Sequence, residues 1–369
     1  MSGMNSSAPR ILLSGYYGYG NLGDDALLEV IVAELRRRIP HAVLEVLSAE
    51  PEETAHLLRV EATPRADLFL VKRAVERADL VLSGGGGLLQ NATSLKSLLY
   101  YAGILRTAAL ARKKTMIFAQ SIGPLDLLGR KIVSEFCRRV PLATVRDAAS
   151  QALLTRLLPR TRVELTADPV FLYEPAEPTG EHFADTLGGA GEPLALISVR
   201  KSSQALAVAR RLAEAVDWLA QRHGIRSVFL PLGGVADAEV AVAVIRRTRS
   251  KPLLLPVADL ATAASLIARC RVVIGMRLHA LILAVRFQVP FLALSYDPKV
   301  SALVTDLEYP LPLLWSAEPS TLPLPAVPEL VDRLCGEHEA LSAGLRVAAE
   351  RMRSAAERNF ELLEGLLGM

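Results

Sequence analysis

The feature that most constrains this chain is a repeated unit: a short apolar segment, a Gly- or Ser-rich turn, then a stretch of helical periodicity. Strands alternating with helices at this spacing imply a parallel sheet covered on both faces. In the first half the strands read as Arg10 to Ser14, Val43 to Leu47, Ala78 to Ser83, Thr115 to Ala119 and Ala143 to Val145, with helices such as Asp24 to Arg38 and Tyr100 to Arg112 between them. Residues 173–193 break the rhythm with prolines, glycines and charges, and read as a linker. The alternation then resumes, with strands at Leu194 to Val199, Ser227 to Pro231, Leu253 to Leu255, Val272 to Gly275 and Phe291 to Ser295. Between them fall helices at Leu206 to His223 and Ala236 to Arg249, and others starting at Leu260 and about Arg277. One long helix is expected from about Pro328 to Leu367. The expected fold class is therefore α/β, two Rossmann-like doubly wound parallel-sheet domains facing a cleft. The boundaries are 1–172, a linker at 173–193, 194–327, and a C-terminal helix over 328–369 placed to pack back on the first domain. Open sheets of this kind bind ligands beyond the carboxyl ends of their strands.

Composition narrows the function. A chain of 369 residues suits two cores better than one. Its 42 Lys and Arg against 39 Asp and Glu leave a net charge of only +3, which argues against a nucleic-acid partner. The cysteines, Cys137, Cys270 and Cys335, lie far apart and form no CxxC pair, so neither a zinc site nor a disulfide framework is expected. The apolar run Ile11-Leu12-Leu13 is too short for a signal-peptide core, and Leu278 to Tyr296 is interrupted by Arg286, Gln288 and Pro290. A cytoplasmic protein is expected. Ala33 to Arg38 reads either as a basic helix end touching lipid at the inner membrane face or as a solvated surface.

Four segments could carry chemistry. The first follows the first strand: Ser14-Gly15-Tyr16-Tyr17-Gly18-Tyr19-Gly20-Asn21-Leu22-Gly23-Asp24-Asp25. Its glycines allow a ligand close to the backbone, and Asp24 can cap the following helix. The spacing is not GxGxxG and no GK[ST] follows, so a dinucleotide or P-loop is not indicated. Exposed tyrosines here suit a sugar ring, and Asn21, Asp24 and Asp25 suit its hydroxyls; the alternative is a plain tight turn. No metal is expected. The second segment, Ser83 to Gly87, ends another strand, and its glycines Gly85 and Gly86 would let a helix N-terminus face the ligand. The third is Gly275-Met276-Arg277-Leu278-His279-Ala280, with Asp297-Pro298-Lys299 at the end of the next strand. Taken singly these residues read as a surface arginine, a core histidine and a solvated lysine. Between Asp259 and Asp297, however, there is no carboxylate, whereas Arg269, Arg271, Arg277 and Arg286 are present. An apolar stretch carrying only cationic charge points to an anionic ligand. The fourth is Ala143-Thr144-Val145-Arg146-Asp147, where Arg146 points to the ligand or pairs with Asp147 or another neighbour. Ser198-Val199-Arg200-Lys201 is a weaker strand end of the same kind.

In this order the segments resemble the polysaccharide pyruvyl transferases, in particular the CsaB-type bacterial members. The likeness rests on GYYGYGNLGDDALL, GGGGLLQ with QSIGP downstream, TVRD, and GMRLHALILA followed by SYDPKV, from about Ile11 to Val300. It implies a GT-B-like fold and transfer of a pyruvyl group from phosphoenolpyruvate to a sugar, with no cofactor. It also implies catalytic roles for Arg146, His279 and Lys299, with Arg277 in the same donor-binding set. Acceptor-side positions would be Ser14, Gly15, Tyr16, Tyr17, Asn21, Asp24, Gly85 and Gly86. The implied acceptor is a β-linked N-acetylmannosamine on a lipid-linked secondary cell wall polymer precursor, whose pyruvylated product anchors S-layer proteins. The rivals are a nucleotide-sugar glycosyltransferase of the same fold class and a non-catalytic solute binder.

Overall fold

The computed structural model describes residues 8–92, 94–175, 192–201, 205–256, 259–317 and 324–369. Most of the linker expected at 173–193 lies outside them. The chain divides into two compact units, Met1–Leu172 with Met352–Met369, and Tyr173–Arg351.

The N-terminal unit is built on a seven-stranded sheet of order β3-β2-β1-β4-β5-β6-β7, with every pairing parallel. Its strands are β1 (Arg10–Tyr17), β2 (Val43–Ser48), β3 (Glu61–Pro64), β4 (Leu80–Gly86), β5 (Lys114–Gln120), β6 (Leu142–Val145) and β7 (Arg162–Leu165). The helices between them are α1 (Leu22–Arg38), α2 (Pro51–Leu58), α3 (Leu68–Arg77), α4 (Leu95–Leu110), α5 (Leu127–Phe136) and α6 (Ala148–Leu157). Every residue of β4 is buried, as expected of a central parallel strand with helices over both faces. The order reverses between β1 and β4, where Ser14 lies beside Ser83. That reversal makes the carboxyl ends of β1 and β4 the natural ligand edge.

The second unit has a six-stranded sheet of order β10-β9-β8-β11-β12-β13, again all parallel. Its strands are β8 (Leu194–Ser198), β9 (Arg226–Phe229), β10 (Leu253–Leu254), β11 (Val272–Gly275), β12 (Phe291–Ser295) and β13 (Trp315–Ser316). Here the reversal falls between β8 and β11, with Ser198 opposite Gly275.

The chain's end differs from the single helix expected. It forms two, Val327–Gly336 and His338–Leu367, because Gly336 weakens the helix where Glu337 takes up a non-helical turn. The last segment of the second helix is a core element of the N-terminal unit. Phe360 is fully buried and meets Phe118 edge-on at 5.1 Å. Asn359 donates to the Ala167 carbonyl (2.9 Å) and accepts from the Thr166 hydroxyl (2.8 Å).

Candidate functional site

In the N-terminal unit, β1 runs on to Tyr17 rather than stopping at Ser14, and α1 starts at Leu22. Asn21 is therefore the residue at the helix cap, and Asp24 lies within the first turn. The expected capping role of Asp24 does not hold. Its carboxylate instead accepts a very short hydrogen bond from the Asn21 side-chain amide. Tyr17 is a second correction. It is buried, and its hydroxyl donates to the Gly84 carbonyl at 2.6 Å, so it joins the ends of β1 and β4 and offers no open face to a sugar. Tyr16 and Tyr19 are the exposed rings, stacked at 4.2 Å between centroids.

Asp25 sits beside Asp24, and its carboxyl is raised to about 6 by burial and then by the Asp24 charge, against a hydrogen bond from the Gly18 N–H. Gly86, at φ +77, approaches the same place; a Cβ there would be 2.9 Å from Asp24 Oδ1. The glycines that end β4 do not open directly into a helix. Leu88 and Leu89 turn inward to the core, and α4 begins only at Leu95, capped by Ser94. Two buried oxygens along this edge, Ser14 Oγ and Gln120 Oε1, have no hydrogen-bond partner among the described residues. The Gln120 amide nitrogen is engaged, by the Ser83 carbonyl at 2.6 Å and the Ser83 hydroxyl at 2.9 Å.

Arg146 lies at the carboxyl end of β6, its side chain only 7% exposed. Its partner is not Asp147, which caps α6 through the Ser150 N–H. Nη1 pairs with buried Asp168, and Nε donates to the Ser121 hydroxyl at 2.8 Å.

In the second unit the carboxyl ends of β8, β11 and β12 carry Arg200, Arg277, His279 and Lys299. The third segment places Arg277 at the cap of the helix Leu278–Arg286, with no side-chain cap bond, and half-buried His279 in the first turn. Lys299 is not in the strand end itself. It belongs to the first turn of the helix Pro298–Asp306, where Asp297 caps its backbone N–H at 3.1 Å.

The expectation of a purely cationic stretch fails in three dimensions. Arg277 is gripped by Asp237, a carboxylate 40 positions upstream, with Nε to Oδ2 and Nη2 to Oδ1 both at 2.7 Å. Asp237 is completely buried, and a side chain at Gly233 would run into the Arg277 guanidinium. Sequence distance hid this pair: Asp237 sits in the first turn of the helix Val235–Ile245, and Arg277 at the cap of Leu278–Arg286. Arg200, only a weak candidate in the sequence, has no ion pair among the described residues. It donates to the Tyr296 hydroxyl at 2.6 Å and lies 4.6 Å from that ring's centroid. The fully buried Ser198 Oγ has no hydrogen-bond partner there either.

Among the described residues no cluster of three or more His, Cys, Asp or Glu could hold a metal. The three cysteines are buried and unpaired. No described helix is long and apolar enough to cross a membrane. The arginines at the end of α1 are tied down: Arg36 donates to the carbonyls of Leu58 and Arg59, and Arg37 and Arg38 pair with Glu34.

Two parallel sheets, each with polar groups at its switch point, define a doubly wound α/β architecture that binds ligands at strand carboxyl ends. The sequence matches the polysaccharide pyruvyl transferase family over residues 21–298, and the chain belongs to that family, which makes it a transferase. No curated protein matches it in sequence at a significant level. Among solved structures it resembles S. aureus MnaA with UDP (TM-score 0.66, 12% identity, 97% of each chain). It also resembles Anabaena HepE with UDP-glucose (0.64, 15%, 96% of this chain and 99% of that one). A third likeness is to the UDP-GlcNAc 2-epimerase of Neisseria meningitidis bound to UDP-GlcNAc (0.62, 11%, 96% and 99%). These likenesses establish the fold, two GT-B-type α/β domains.

Proposed function

We propose that this chain transfers the pyruvyl group of phosphoenolpyruvate to two hydroxyls of a sugar, forming a cyclic ketal and releasing phosphate. The observation that carries the reading is the set Arg200, Arg277, His279 and Lys299, gathered on the carboxyl edge of one sheet at an uncapped helix start. The donor bears a phosphate and a carboxylate, and cationic forks beside helix N–H groups suit such oxyanions. Arg200 and Lys299 meet the donor's charge. Arg277, already bound by Asp237, contributes its remaining N–H groups and fixes the start of the His279 helix. Arg146 is a further cationic group acting on the donor.

His279 acts as the general acid. Protonation of the donor's methylene carbon makes its neighbour electrophilic. A sugar hydroxyl adds there, phosphate departs with the C–O bond electrons, and the second hydroxyl closes the ring on the same carbon. Of the two hydroxyl protons released, one restores His279 and the other goes to the phosphate. On the acceptor side, Ser14, Gly15, Tyr16, Asn21, Asp24 and the Gly85-Gly86 turn form the sugar's wall. Asp25 titrates in a range suited to take up a hydroxyl proton. The acceptor is a β-linked N-acetylmannosamine of a lipid-linked secondary cell wall polymer precursor, met at the inner face of the cytoplasmic membrane, and the product anchors S-layer proteins.

The second reading is a nucleotide-sugar glycosyltransferase, favoured by the UDP-bound structures of similar fold. Such enzymes need a carboxylate for the ribose hydroxyls. Asp237 is present, but it is fully buried and occupied by Arg277. Thermal-shift titrations separate the two: stabilisation by phosphoenolpyruvate and not by UDP-sugars supports the first, and the reverse overturns it.

A further inference from the structure

One cationic side chain lies outside every motif described above. Arg65 directly follows β3, on the ligand edge of the N-terminal sheet. Its backbone is fixed on both sides: its N–H donates to the Ser48 carbonyl at 2.9 Å, and its carbonyl accepts from the Tyr100 hydroxyl at 3.0 Å. The guanidinium reaches back to the loop after Ser14, where Nη1 donates to the Gly15 carbonyl at 2.9 Å and Nη2 to the Tyr101 hydroxyl at 3.1 Å. It lies 5.0, 4.7 and 5.3 Å from the ring centroids of Tyr19, Tyr100 and Tyr101.

Every one of these partners is neutral. Among the described residues Arg65 has no ion pair, whereas Arg146 and Arg277, also at strand ends, each hold a buried aspartate. Ring faces attract a cation, but they do not cancel its charge. A guanidinium has five N–H donors, and two are given to protein oxygens here. The group is thus half-buried, held by neutral partners, and without an ion pair among the described residues. Beside it stand Tyr16 and Tyr19, stacked on each other and 40% and 49% exposed.

We propose that Arg65, Tyr16 and Tyr19 form a subsite for a sugar that carries an oxyanion. The tyrosines pack the pyranose and the guanidinium meets the anionic substituent. The inference deepens the acceptor side of the proposed function and rests on its reading of that edge as sugar-binding. It predicts that the acceptor is recognised by a charged group as well as by the hydroxyls that react. A phosphate ester and a ring carboxylate share the required chemistry.

The test is direct binding by isothermal titration to the full chain, using N-acetylhexosamine 1-phosphate, a hexuronic acid, the neutral methyl N-acetylhexosaminide and inorganic phosphate. The wild type should bind one of the two anionic sugars at least about tenfold more tightly than the neutral glycoside. Whichever anionic sugar wins names the substituent. Arg65→Met should erase that preference and leave affinity for the neutral glycoside in place. Tyr19→Leu should weaken the anionic and neutral sugars alike, and it keeps the proposal testable if Arg65→Met does not fold. No preference in the wild type, a preference surviving in Arg65→Met, or an Arg65-dependent affinity for inorganic phosphate as tight as that for the sugar phosphate would each overturn the proposal. Pyruvylation with phosphoenolpyruvate is assayed on the same preparations. Arg65-dependent binding without pyruvyl transfer would sink the proposed reaction and leave the subsite standing.

Discussion

Replacing Asp237 by alanine should be among the most damaging single changes in the second unit. The carboxylate is wholly buried and takes two 2.7 Å bonds from Arg277, whose side chain is 16% exposed. Removing it leaves a guanidinium largely desolvated and uncompensated, which typically costs about 3–5 kcal/mol. Of the chain's two tryptophans, Trp315 lies in this unit's core cluster and Trp218 packs against it, so intrinsic fluorescence reports on it selectively. With a urea dependence of about 2 kcal/mol per molar, the midpoint should fall by roughly 2 M. Asp237→Asn keeps one acceptor and should lose less. The double variant Asp237→Leu, Arg277→Met removes both charges and should recover most of the loss, since a buried pair is often replaceable by packed apolar groups. A midpoint shift under about 0.5 M in Asp237→Ala, or no recovery in the double variant, would show that the pair is not a desolvated clamp and refute the argument.

Three further outcomes are expected. His279→Ala should lower kcat by about 10²–10⁴-fold with donor affinity little changed, and wild-type turnover would remove His279 from the mechanism. Arg200→Met should weaken phosphoenolpyruvate binding by about tenfold or more while thermal stability changes little; unchanged titration curves would exclude Arg200 as a donor ligand. Asp25, raised from 3.8 to about 6, is harder to ionise folded than unfolded, so its ionisation destabilises the fold as pH rises through that window. Asp25→Asn should accordingly melt above the wild type at pH 8, by up to about 3 kcal/mol, and the gap should close by about pH 4. A gap independent of pH would mean that Asp25 is not strained by its charge.

The strand–helix rhythm made both parallel sheets legible, because strands buried on two faces need nearly unbroken apolar runs such as Leu80-Val81-Leu82 and Phe291-Leu292-Ala293. Three of the four edge strands, β3, β7 and β13, were missed, whereas β10 was read. β3 (Glu61–Pro64) and β7 (Arg162–Leu165) carry charges and expose part of their length, so no apolar run announces them. The glycine loops and the strand-end residues were visible as local patterns. What local patterns could not give was the pairing of charges: Arg146 with Asp168, Arg277 with Asp237, and Arg65 with neutral rings. These partners lie 22, 40 and up to 46 positions away, the last from Arg65 to Tyr19. They meet only because the crossovers bring separate strand ends to one edge. Tyr17 was misread for a related reason. In an extended strand it faces opposite to Tyr16, and burial pattern alone distinguishes them.

The most direct test of the proposed reaction is mass spectrometry of a synthetic lipid-linked disaccharide incubated with the enzyme and phosphoenolpyruvate. Donor-dependent appearance of a product heavier by one pyruvate less one water, matched by an equal release of phosphate, is the result expected. An acceptor of unchanged mass, with sugar transferred from a UDP-sugar instead, would contradict it.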